Sequence, residues 1–245
     1  MIETRQLTKV FSDKKRGPVA AVDHVDFRCE PGKVFGLLGV NGAGKTTCLR
    51  LLATLLRPTS GAATVNGFDV TREPQKVRAS IGFLTTATAL YGRLTAYEVV
   101  QYFGRLHGLS DAALGPRIES LFQTLGMNEF RDRRCDKLST GMKQKTSIAR
   151  TLVHDPPVMI FDEPTLGLDV LTARTVIGFI RECAQRGKTV IFSTHVMSEA
   201  EKLCDTIAII HGGRILAGGT LAQLRERAGL QSLEEIFIKA VEEKK

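Results

Sequence analysis

A short apolar run, a glycine-rich loop and a helical pattern follow one another early in this 245-residue chain. The apolar run spans residues 34–38, and the loop spans residues 39–47 with the order Gly-Val-Asn-Gly-Ala-Gly-Lys-Thr-Thr. Leu49, Leu52 and Leu56 then recur at helical spacing, which predicts a helix that reaches Leu56 before the next proline and glycine end it. This order requires a fold in which a buried strand runs directly into a loop and then into a helix.

The loop matches the pattern G-x-x-x-x-G-K-[ST], which wraps the phosphates of a nucleoside triphosphate. Its glycines let the backbone turn N–H groups towards an anion, and the following helix adds the partial positive charge of its N-terminus. Lys45 adds a full positive charge, and Thr46 is predicted to place its hydroxyl on Mg²⁺. A glycine turn that merely ends a strand is the alternative, and the flanking strand and helix disfavour it. The predicted phosphate-binding residues are Gly39, Val40, Asn41, Gly42, Ala43, Gly44, Lys45, Thr46 and Thr47.

The composition limits the kind of protein. With 43% hydrophobic residues, the chain can bury the core of one large domain or of a domain with a subdomain. No apolar run approaches the roughly 18–20 residues that cross a bilayer, and the N-terminus lacks a basic-then-apolar secretion signal. The five cysteines are scattered and odd in number, which favours reduced thiols in a cytosol. The five histidines form no cluster typical of a metal site, so any metal is expected to arrive with the nucleotide.

The net charge of +8 favours an anionic partner, which includes nucleic acid, an anionic membrane surface and a phosphate ligand. Basic residues cluster only at residues 14–16 and 131–134, and the chain has no tryptophan and no alternation of aromatic and basic residues. A nucleic-acid-binding surface is therefore not indicated. A solvated basic surface and docking beside a membrane both stay open.

The first part of the chain changes from strand to helix periodicity. Residues 1–30 alternate apolar and polar side chains, as in antiparallel strands with one face in water, and the polar stretch 14–18 is predicted to be a loop between two of them. A short strand is predicted at residues 81–84. Apolar residues then recur with helical spacing, for example within 118–125, so residues from about 88 to 155 are predicted to be a helical insert.

Strands and helices alternate after the insert. Strands are predicted at residues 158–161, 190–192 and 207–210, with a helical pattern over 173–180 between the first two. This order indicates right-handed crossovers and a parallel sheet covered by helices on both faces. The tail from residue 232 to residue 245 is predicted to be a short amphipathic helix.

Two carboxylates follow the strand predicted at residues 158–161. Because ligands of open sheets bind at the carboxyl ends of the strands, Asp162 and Glu163 are expected beside the phosphate loop. Asp162 is predicted to hold Mg²⁺ through water, and Glu163 to orient and deprotonate the attacking water. His195 ends the next strand and is predicted to contact the γ-phosphate. Surface acids and an ordinary histidine with satisfied hydrogen bonds are the alternatives, and the position of all three residues at strand ends disfavours them.

A second helix end that suits an anion lies at residues 138–145, Leu-Ser-Thr-Gly-Met-Lys-Gln-Lys. Ser139 is a good N-cap, and Gly141 exposes backbone N–H groups in the first turn of a helix predicted to reach about residue 153. One chain does not need two anion-binding ends for one triphosphate. The second end is therefore predicted to face the nucleotide held by another copy of the chain.

Two further segments complete a series of motifs, namely Gly-Leu-Asp at residues 167–169 and Ser-Thr-His at residues 193–195. With the phosphate loop, Leu-Ser-Thr-Gly-Met and Asp-Glu-Pro-Thr, they occur in an order in which the chain resembles the ATPase subunits of ABC transporters over nearly its whole length. The interval from Lys45 to Asp162 is too short for the long coiled-coil insert of chromosome-structure ATPases of the same superfamily. The variable motifs resemble the type-2 exporter branch and, within it, sodium-extruding (NatA-type) subunits.

The resemblance implies an α/β fold of the P-loop NTPase type, with a mixed core sheet, an N-terminal antiparallel subdomain and a helical insert. It implies a single ABC ATPase domain over residues 1–245. Within that domain, residues 1–87 and 156–230 are predicted to form the core, residues 88–155 the helical subdomain and residues 231–245 a C-terminal helix.

The resemblance also assigns ligands and roles. It implies ATP and Mg²⁺ as the ligands, with Lys45, Glu163 and His195 as the catalytic residues. It implies that Phe11 stacks on adenine, while an aromatic residue after a strand is also common inside proteins, so a plain core position stays open for Phe11.

Other implied roles concern a second subunit and two departures from the family pattern. Ser139 and Gly141 are implied to complete the partner's site in a head-to-tail dimer, with Asp169 at the seam. Thr86 stands where the family has a glutamine that touches Mg²⁺ and couples to the permease, and threonine is too short to reach the same point without backbone movement. Met142 stands where a polar residue is usual, and nothing in the sequence explains it.

The implied function is an ATP-binding and ATP-hydrolysing subunit of an ABC exporter, lying on the cytoplasmic face of the cell membrane as a peripheral protein. Its implied partners are a second copy or a paired ATPase subunit and a separate integral membrane permease, with no nucleic acid. A soluble ABC ATPase acting on ribosomes or nucleic acid is one alternative, and a non-hydrolysing switch that dimerises on ATP is the other. The resemblance suggests sodium as the transported substrate, and drugs, lipids and polysaccharides stay open.

Overall fold

The computed structural model describes residues 1–13, 17–85 and 89–243, which form two β-sheets and the helices around them. The strands are β1 (Ile2–Asp13), β2 (Gly17–Cys29), β3 (Val34–Leu38), β4 (Ser60–Val65), β5 (Phe68–Asp69), β6 (Ile81–Thr85), β7 (Val158–Asp162), β8 (Thr189–Thr194), β9 (Thr206–His211) and β10 (Arg214–Gly219). The α-helices are α1 (Lys45–Leu52), α2 (Pro74–Ser80), α3 (Ala96–Leu106), α4 (Asp111–Leu125), α5 (Thr140–Leu152), α6 (Val170–Gln185), α7 (Met197–Leu203), α8 (Leu221–Ala228) and α9 (Leu233–Glu242).

The larger sheet has six strands in the order β10-β9-β3-β8-β7-β6. Neighbouring strands from β9 to β6 are parallel and β10 is antiparallel to β9, so the sheet is mixed. Strands β3, β7 and β8 are buried along their whole length, as expected for parallel strands covered on both faces. The register sets Leu38 beside Thr194 and Asp162 beside Ser193, so the carboxyl ends of these three strands meet at one edge.

The smaller sheet has four antiparallel strands in the order β2-β1-β4-β5. In β2 the side chains of Val25 and Cys29 are buried and that of Arg28 is exposed, which confirms the predicted antiparallel strands with one face in water. The predicted loop over residues 14–18 is wrong at its end, because Pro18 belongs to β2 and pairs with Ser12. Proline is tolerated there because β2 is an edge strand and needs no N–H on its outer side.

Helices cover both faces of the six-stranded sheet, as adjacent residues of β7 show. Phe161 lies in one buried cluster with Phe122 of α4, while Ile160 lies in another with Leu49 of α1. A third cluster joins α7, α8 and α9 to the outer strands, for example through Ile209. Because successive side chains of a strand point to opposite faces, the run of apolar residues in β7 contributes to two cores. The predicted sheet with helices on both faces is confirmed.

Helix α1 is shorter than the leucine spacing predicts. It ends at Leu52, and Thr54 adopts a φ of +61°, which takes the chain out of the helix. The N–H groups of Leu55 and Leu56 then both donate to the carbonyl oxygen of Arg50, at 2.9 and 3.2 Å, and close the helix end. Leu56 still packs against the same core as α1. Its apolar character therefore continues the helical spacing although its backbone lies outside the helix.

Helices α3, α4 and α5 pack against one another. The helical spacing predicted around residues 118–125 is confirmed in α4, where Ile118, Phe122 and Leu125 are buried. Thr95 starts α3 with a reciprocal pair of hydrogen bonds to Glu98. The division of the chain into a core and a helical subdomain stays a prediction.

In the ranges that the structure describes, no helix combines the length and the apolar character needed to pass through a bilayer. The predicted tail helix is present as α9, which begins after Ser232. The five cysteines are free thiols, and burial raises the pKa of Cys48 to about 12.

Candidate functional site

The loop between β3 and α1 presses against neighbouring backbone on one side. Gly44 has a φ of +106°, and a Cβ atom there would lie 2.3 Å from the carbonyl oxygen of Ala21. A Cβ atom at Gly39 would lie 2.4 Å from the carbonyl oxygen of Ile210. Only glycine fits at these two positions. The other side of the loop borders a cleft of about 160 Å³, lined by Ala21, Asn41, Gly42, Ala43, Gly44, Lys45, Thr46, Thr47 and Glu163.

Lys45 is the buried cation of this cleft, with 4% of its surface exposed. Its ammonium group donates to the carbonyl oxygens of Gly39 at 2.7 Å and Val40 at 3.2 Å, and it forms an ion pair with Glu163 Oε1 at 3.0 Å. A buried ammonium group needs such partners, because removal from water is costly for a charge. The arrangement fits an anion, since phosphate oxygens can replace the carboxylate as the acceptor.

Asp162 gathers two hydroxyl groups at the end of β7. Thr46 Oγ1 donates to Asp162 Oδ1 at 3.1 Å, and Ser193 Oγ donates to the same oxygen at 2.7 Å. Asp162 is 5% exposed, so these bonds compensate for its burial. A hydroxyl and a carboxylate oxygen beside a phosphate loop are ligands that Mg²⁺ prefers. Thr46 and Asp162 therefore fit a Mg²⁺ ion that arrives with the phosphates.

Glu163 points both of its oxygens at cations or donors. Its Oε1 pairs with Lys45, and its Oε2 lies 2.8 Å from Nδ1 of His195. Its backbone has a φ of +48°, in the left-handed region that non-glycine residues seldom adopt. Its N–H donates to the backbone oxygen of Ser193 at 3.2 Å and to the Ser193 hydroxyl at 3.1 Å. Strand β8 thus holds the backbone of Glu163 in this unusual conformation.

The structure brings together three residues that the sequence places far apart. Lys45 begins α1, Glu163 follows β7 and His195 follows β8, and the two contacts of Glu163 join them into one cluster. The His195 side chain is 37% exposed, so one side of the cluster faces the solvent. The catalytic roles of these residues stay predictions, and their position at one sheet edge agrees with the expectation from the strand order.

Four polar residues in or beside the cluster receive no role of their own in the sequence analysis. They are Gln144, Thr165, Ser193 and Glu199. Gln144 Nε2 donates to the carbonyl oxygen of Pro164 at 2.7 Å, which ties α5 to the segment after Glu163. The contact of Ser193 with Asp162 follows from the strand register, which pairs the two residues. It could be predicted only if the order of the strands in the sheet were known.

The N-terminus of α5 faces outward. Ser139 is exposed, and its hydroxyl accepts from the N–H of Met142 at 3.3 Å, which confirms the predicted N-cap. Gly141 lies against the start of α6, since a Cβ atom there would lie 3.2 Å from Thr172 Oγ1. Within the described ranges, no hydrogen bond links Ser139 or Gly141 to the phosphate loop of the same chain. Met142 packs with its apolar side chain against the helical core, which accounts for a nonpolar residue at this position.

Asp169 forms the N-cap of α6. Its Oδ1 accepts from the N–H groups of Leu171 and Thr172, both at 3.0 Å, and the Thr172 hydroxyl donates to its other oxygen at 2.6 Å. The hydrogen bond from the Thr172 side chain lowers the pKa of Asp169. The start of α6 also exposes Val170 and Leu171 almost fully. The implied role of Asp169 at a dimer seam stays a prediction.

Phe11 is not a core residue. Its side chain is 40% exposed on β1, and the Lys9 ammonium group lies 5.2 Å from its ring centroid. The core alternative is therefore wrong, and stacking on adenine stays a prediction. The prediction for Thr86 falls outside the described residues.

A glycine loop with a buried lysine, beside strand-end acids of a parallel sheet, defines a P-loop nucleotide-binding domain. The chain belongs to the ABC transporter family, whose model matches residues 22–166. It is 44% identical to the ABC transporter ATP-binding protein NatA of Bacillus subtilis over 97% of both chains. It is 40% identical to the daunorubicin/doxorubicin resistance ATP-binding protein DrrA of Streptomyces peucetius over 93% of this chain and 68% of that protein. These findings confirm the resemblance to ATP-binding subunits of the type-2 exporter branch.

Solved structures confirm the fold. An ATP-binding subunit of an ABC transporter superposes with a TM-score of 0.88 at 30% identity, covering 98% of this chain and 99% of that one. A bacterial ABC transporter cassette, solved as a dimer, superposes with a TM-score of 0.82 at 25% identity, covering 90% of this chain and 98% of that one. The chain is thus an ATP-binding domain of the ABC type.

Proposed function

We propose that the protein hydrolyses ATP as the motor subunit of an ABC exporter, and that two copies enclose two ATP molecules between them. The observation that carries the proposal is the position of Glu163, whose two oxygens lie 3.0 Å from the Lys45 ammonium group and 2.8 Å from His195 Nδ1 at the mouth of the phosphate loop. A carboxylate, an imidazole and a buried cation around one cleft are groups that can orient water and stabilise charge in phosphoryl transfer.

Each residue has a distinct part in the proposed reaction. The loop N–H groups and Lys45 hold the phosphates of ATP, and Thr46 and Asp162 hold Mg²⁺, which supplies neutralising charge. When Lys45 turns to phosphate oxygens, Oε1 of Glu163 loses its cation and is free to accept a proton from the attacking water. His195 keeps the carboxylate oriented through Oε2, and its ring contacts the γ-phosphate in the closed site.

The dimer follows from what one chain leaves open. The Ser139 end of α5 is exposed and its hydrogen bonds stay within its own helix, so its remaining N–H groups are available to an anion held elsewhere. The relative solved as a dimer supports two-fold assembly of such domains. ATP drives closure only if it binds the closed pair better than the open one. We infer that the Ser139 end supplies this difference in affinity.

The test uses Glu163→Gln, which keeps the shape of the side chain and removes the base. Hydrolysis is expected to fall by about 10²–10⁴-fold, and the variant is expected to accumulate as a dimer with ATP and Mg²⁺ in gel filtration with light scattering. A strictly monomeric Glu163→Gln protein with bound ATP would refute the enclosed dimer. A wild-type protein that releases no phosphate from ATP would refute hydrolysis and leave an ATP-dependent switch.

Matched double variants separate the helix end from general effects. Adding Ser139→Ala to Glu163→Gln is expected to abolish the dimer while the monomer still binds a fluorescent ATP analogue. Adding Ser232→Ala removes a serine N-cap of the same kind from α9 and is expected to leave the dimer intact. Equal loss of dimer in both double variants would show that helix stability alone is responsible.

We also propose that a separate integral membrane permease docks on the helical insert and holds the subunit on the inner face of the cell membrane. An exposed patch there contains Tyr91, Tyr102 and Leu106, and a cavity of about 360 Å³ opens beside the two tyrosines. Exposed apolar surface of this kind marks interaction sites. Membranes that contain the cognate permease are expected to retain the wild-type chain. They are expected not to retain a double variant with Tyr91→Ser and Tyr102→Ser.

Sodium is the transported ion in this proposal, on the likeness to the NatA-type subunits. The drug-resistance relative makes a drug the competing substrate. The test uses vesicles that carry both subunits and compares the ATP-dependent transport of ²²Na⁺ with that of daunorubicin. The substrate that is transported decides between the two possibilities.

A further inference from the structure

A carboxylate outside the cluster around Glu163 connects the two chain segments that carry Glu163 and His195. Oε2 of Glu199, in α7, accepts a hydrogen bond from Thr194 Oγ1 at 2.9 Å and another from Thr165 Oγ1 at 3.1 Å. Thr194 directly precedes His195. Thr165 follows Glu163 after one proline. One carboxylate oxygen therefore holds both segments.

These contacts close a ring that consists of three hydrogen bonds and two short stretches of backbone. From Glu199 the ring runs through Thr165 to Glu163, across the 2.8 Å contact to His195, and back through Thr194. Thr194 Oγ1 also accepts from the N–H of Val196 at 3.0 Å, so the same hydroxyl fixes the backbone after the histidine. The contact between the His195 ring and the Glu163 carboxylate thus lies in a ring that Glu199 closes through the two neighbouring threonines.

Few other groups could replace the Glu199 carboxylate as the acceptor for these hydroxyl groups. Thr194 is 2% exposed, so its hydroxyl cannot exchange the carboxylate for bulk water. His195 stands after the end of β8 with its side chain 37% exposed, and packing alone holds such a ring loosely. Carboxylate oxygens accept stronger hydrogen bonds than neutral groups, and one anion that serves two donors gives a defined geometry.

We propose that Glu199 is a positioning residue that sets the orientation of His195 towards Glu163. This inference rests on the proposed ATP hydrolysis for its kinetic part and on the structure alone for its spectroscopic part. It predicts an effect on the rate of the bound complex rather than on the affinity for ATP, because the phosphate loop takes no part in the ring.

The kinetic experiment compares three variants with the wild type. Glu199→Ala is expected to lower kcat by about 10- to 100-fold with KM for ATP changed less than twofold, because a small misplacement of catalytic groups is costly. Glu199→Gln keeps an oxygen acceptor and is expected to recover most of kcat. Glu201→Ala is the matched control, since Glu201 lies on the same helix and instead accepts from the N–H of Leu233 at 3.2 Å. Its kcat is expected to stay within twofold of wild type.

The spectroscopic experiment observes the His195 ring by ¹H–¹⁵N NMR without nucleotide, with the signal assigned by its loss in His195→Ala. Glu163→Ala supplies the spectrum of the ring without its carboxylate. The Glu199→Ala signal is expected to move towards that spectrum, and the Glu201→Ala signal is expected to stay at the wild-type position. If Glu199→Ala does not fold, Thr165→Val removes one bond of the ring and is expected to give the same changes at a smaller size.

The outcomes separate the two proposals. Suppose that the wild type hydrolyses ATP and that Glu199→Ala keeps both the wild-type kcat and the wild-type position of the His195 signal. This result overturns the role of Glu199 and leaves the proposed hydrolysis intact. A wild type without ATPase activity overturns the proposed function, and the NMR result still decides whether Glu199 holds His195. A fall in kcat with a parallel rise in KM also overturns the inference, because it indicates general damage to the site.

Discussion

The two helix ends proposed to bind anions differ in how many of their partners come from the chain itself. At the start of α1, Lys45 is buried and already bound by two carbonyl oxygens and a carboxylate. At the start of α5, Ser139 is exposed, and its hydroxyl accepts a 3.3 Å hydrogen bond from the N–H of Met142 in its own helix. The first end is arranged before a ligand arrives, whereas the second offers its donors to the solvent.

This difference indicates which helix end affects nucleotide binding and which affects the association of two subunits. Groups fixed in advance need little reorganisation when a phosphate binds, so the α1 end can bind nucleotide in a single subunit. An end that gains partners only from another subunit contributes only after association. We therefore expect substitutions at the first end to affect binding and those at the second to affect assembly and turnover.

Among the substitutions that test this contrast between the two ends, Lys45→Ala is expected to have the largest effect. Loss of the Lys45 cation removes a group that binds the phosphates. It also leaves Glu163, whose side chain is 14% exposed, without its ion-pair partner. Hydrolysis should fall by about 10²–10³-fold, and binding of a fluorescent ATP analogue should weaken in parallel. Lys76→Ala, which removes an exposed ion pair with Glu73, serves as the control and should leave both unchanged. Wild-type nucleotide affinity in Lys45→Ala would break the contrast between the two ends.

A smaller effect, on assembly and turnover and not on nucleotide binding, is expected from Ser139→Ala. The monomer should bind the ATP analogue as the wild type does, while ATPase activity falls by about 10-fold or more because the second end no longer completes the site. Loss of the N-cap should lower the free energy of unfolding by about 1 kcal/mol, as it should for Ser232→Ala. Chemical denaturation measures that loss in both variants. If Ser232→Ala lowers ATPase activity as much, the distinction between the ends fails.

The Mg²⁺ requirement should change with the Thr46 hydroxyl. Thr46→Val keeps the shape of the side chain and removes the oxygen beside Asp162, so the Mg²⁺ concentration for half-maximal ATPase activity should rise about tenfold. Thr46→Ser keeps the hydroxyl and should titrate close to the wild type. The same Mg²⁺ curve for the valine and serine variants would remove Thr46 from the metal site. EDTA should stop hydrolysis in all three proteins.

The smallest effect is expected at Gln144, which connects the two regions inside one chain. Gln144→Ala breaks the 2.7 Å hydrogen bond to the carbonyl oxygen of Pro164 and should lower ATPase activity only a few-fold, because a single neutral hydrogen bond is worth about 1 kcal/mol. ATP-analogue binding should stay unchanged. A loss as large as that of Ser139→Ala would show that the two ends are coupled within the subunit more strongly than across the dimer.

How far the sequence predicts the molecule depends on the range of the interactions. The buried strand before the loop and the Ser139 cap are local features, and their predictions hold because neighbouring residues determine them. The end of α1 is misjudged because Leu56 keeps its apolar role after the backbone has left the helix. Glu199 is not found, because its partner Thr165 lies 34 residues away and only the folded sheet edge brings the two together.

The backbone conformation of Glu163 affects which residues are favourable at position 163. A non-glycine residue at a φ of +48° costs roughly 1–3 kcal/mol, and β8 supplies the hydrogen bonds that maintain it. Glycine at position 163 would relieve that strain, but it would also leave the buried Lys45 ammonium group without its carboxylate partner. Backbone strain and ion pairing therefore act in opposite directions on stability at this one position, and the pairing with Lys45 favours keeping the carboxylate.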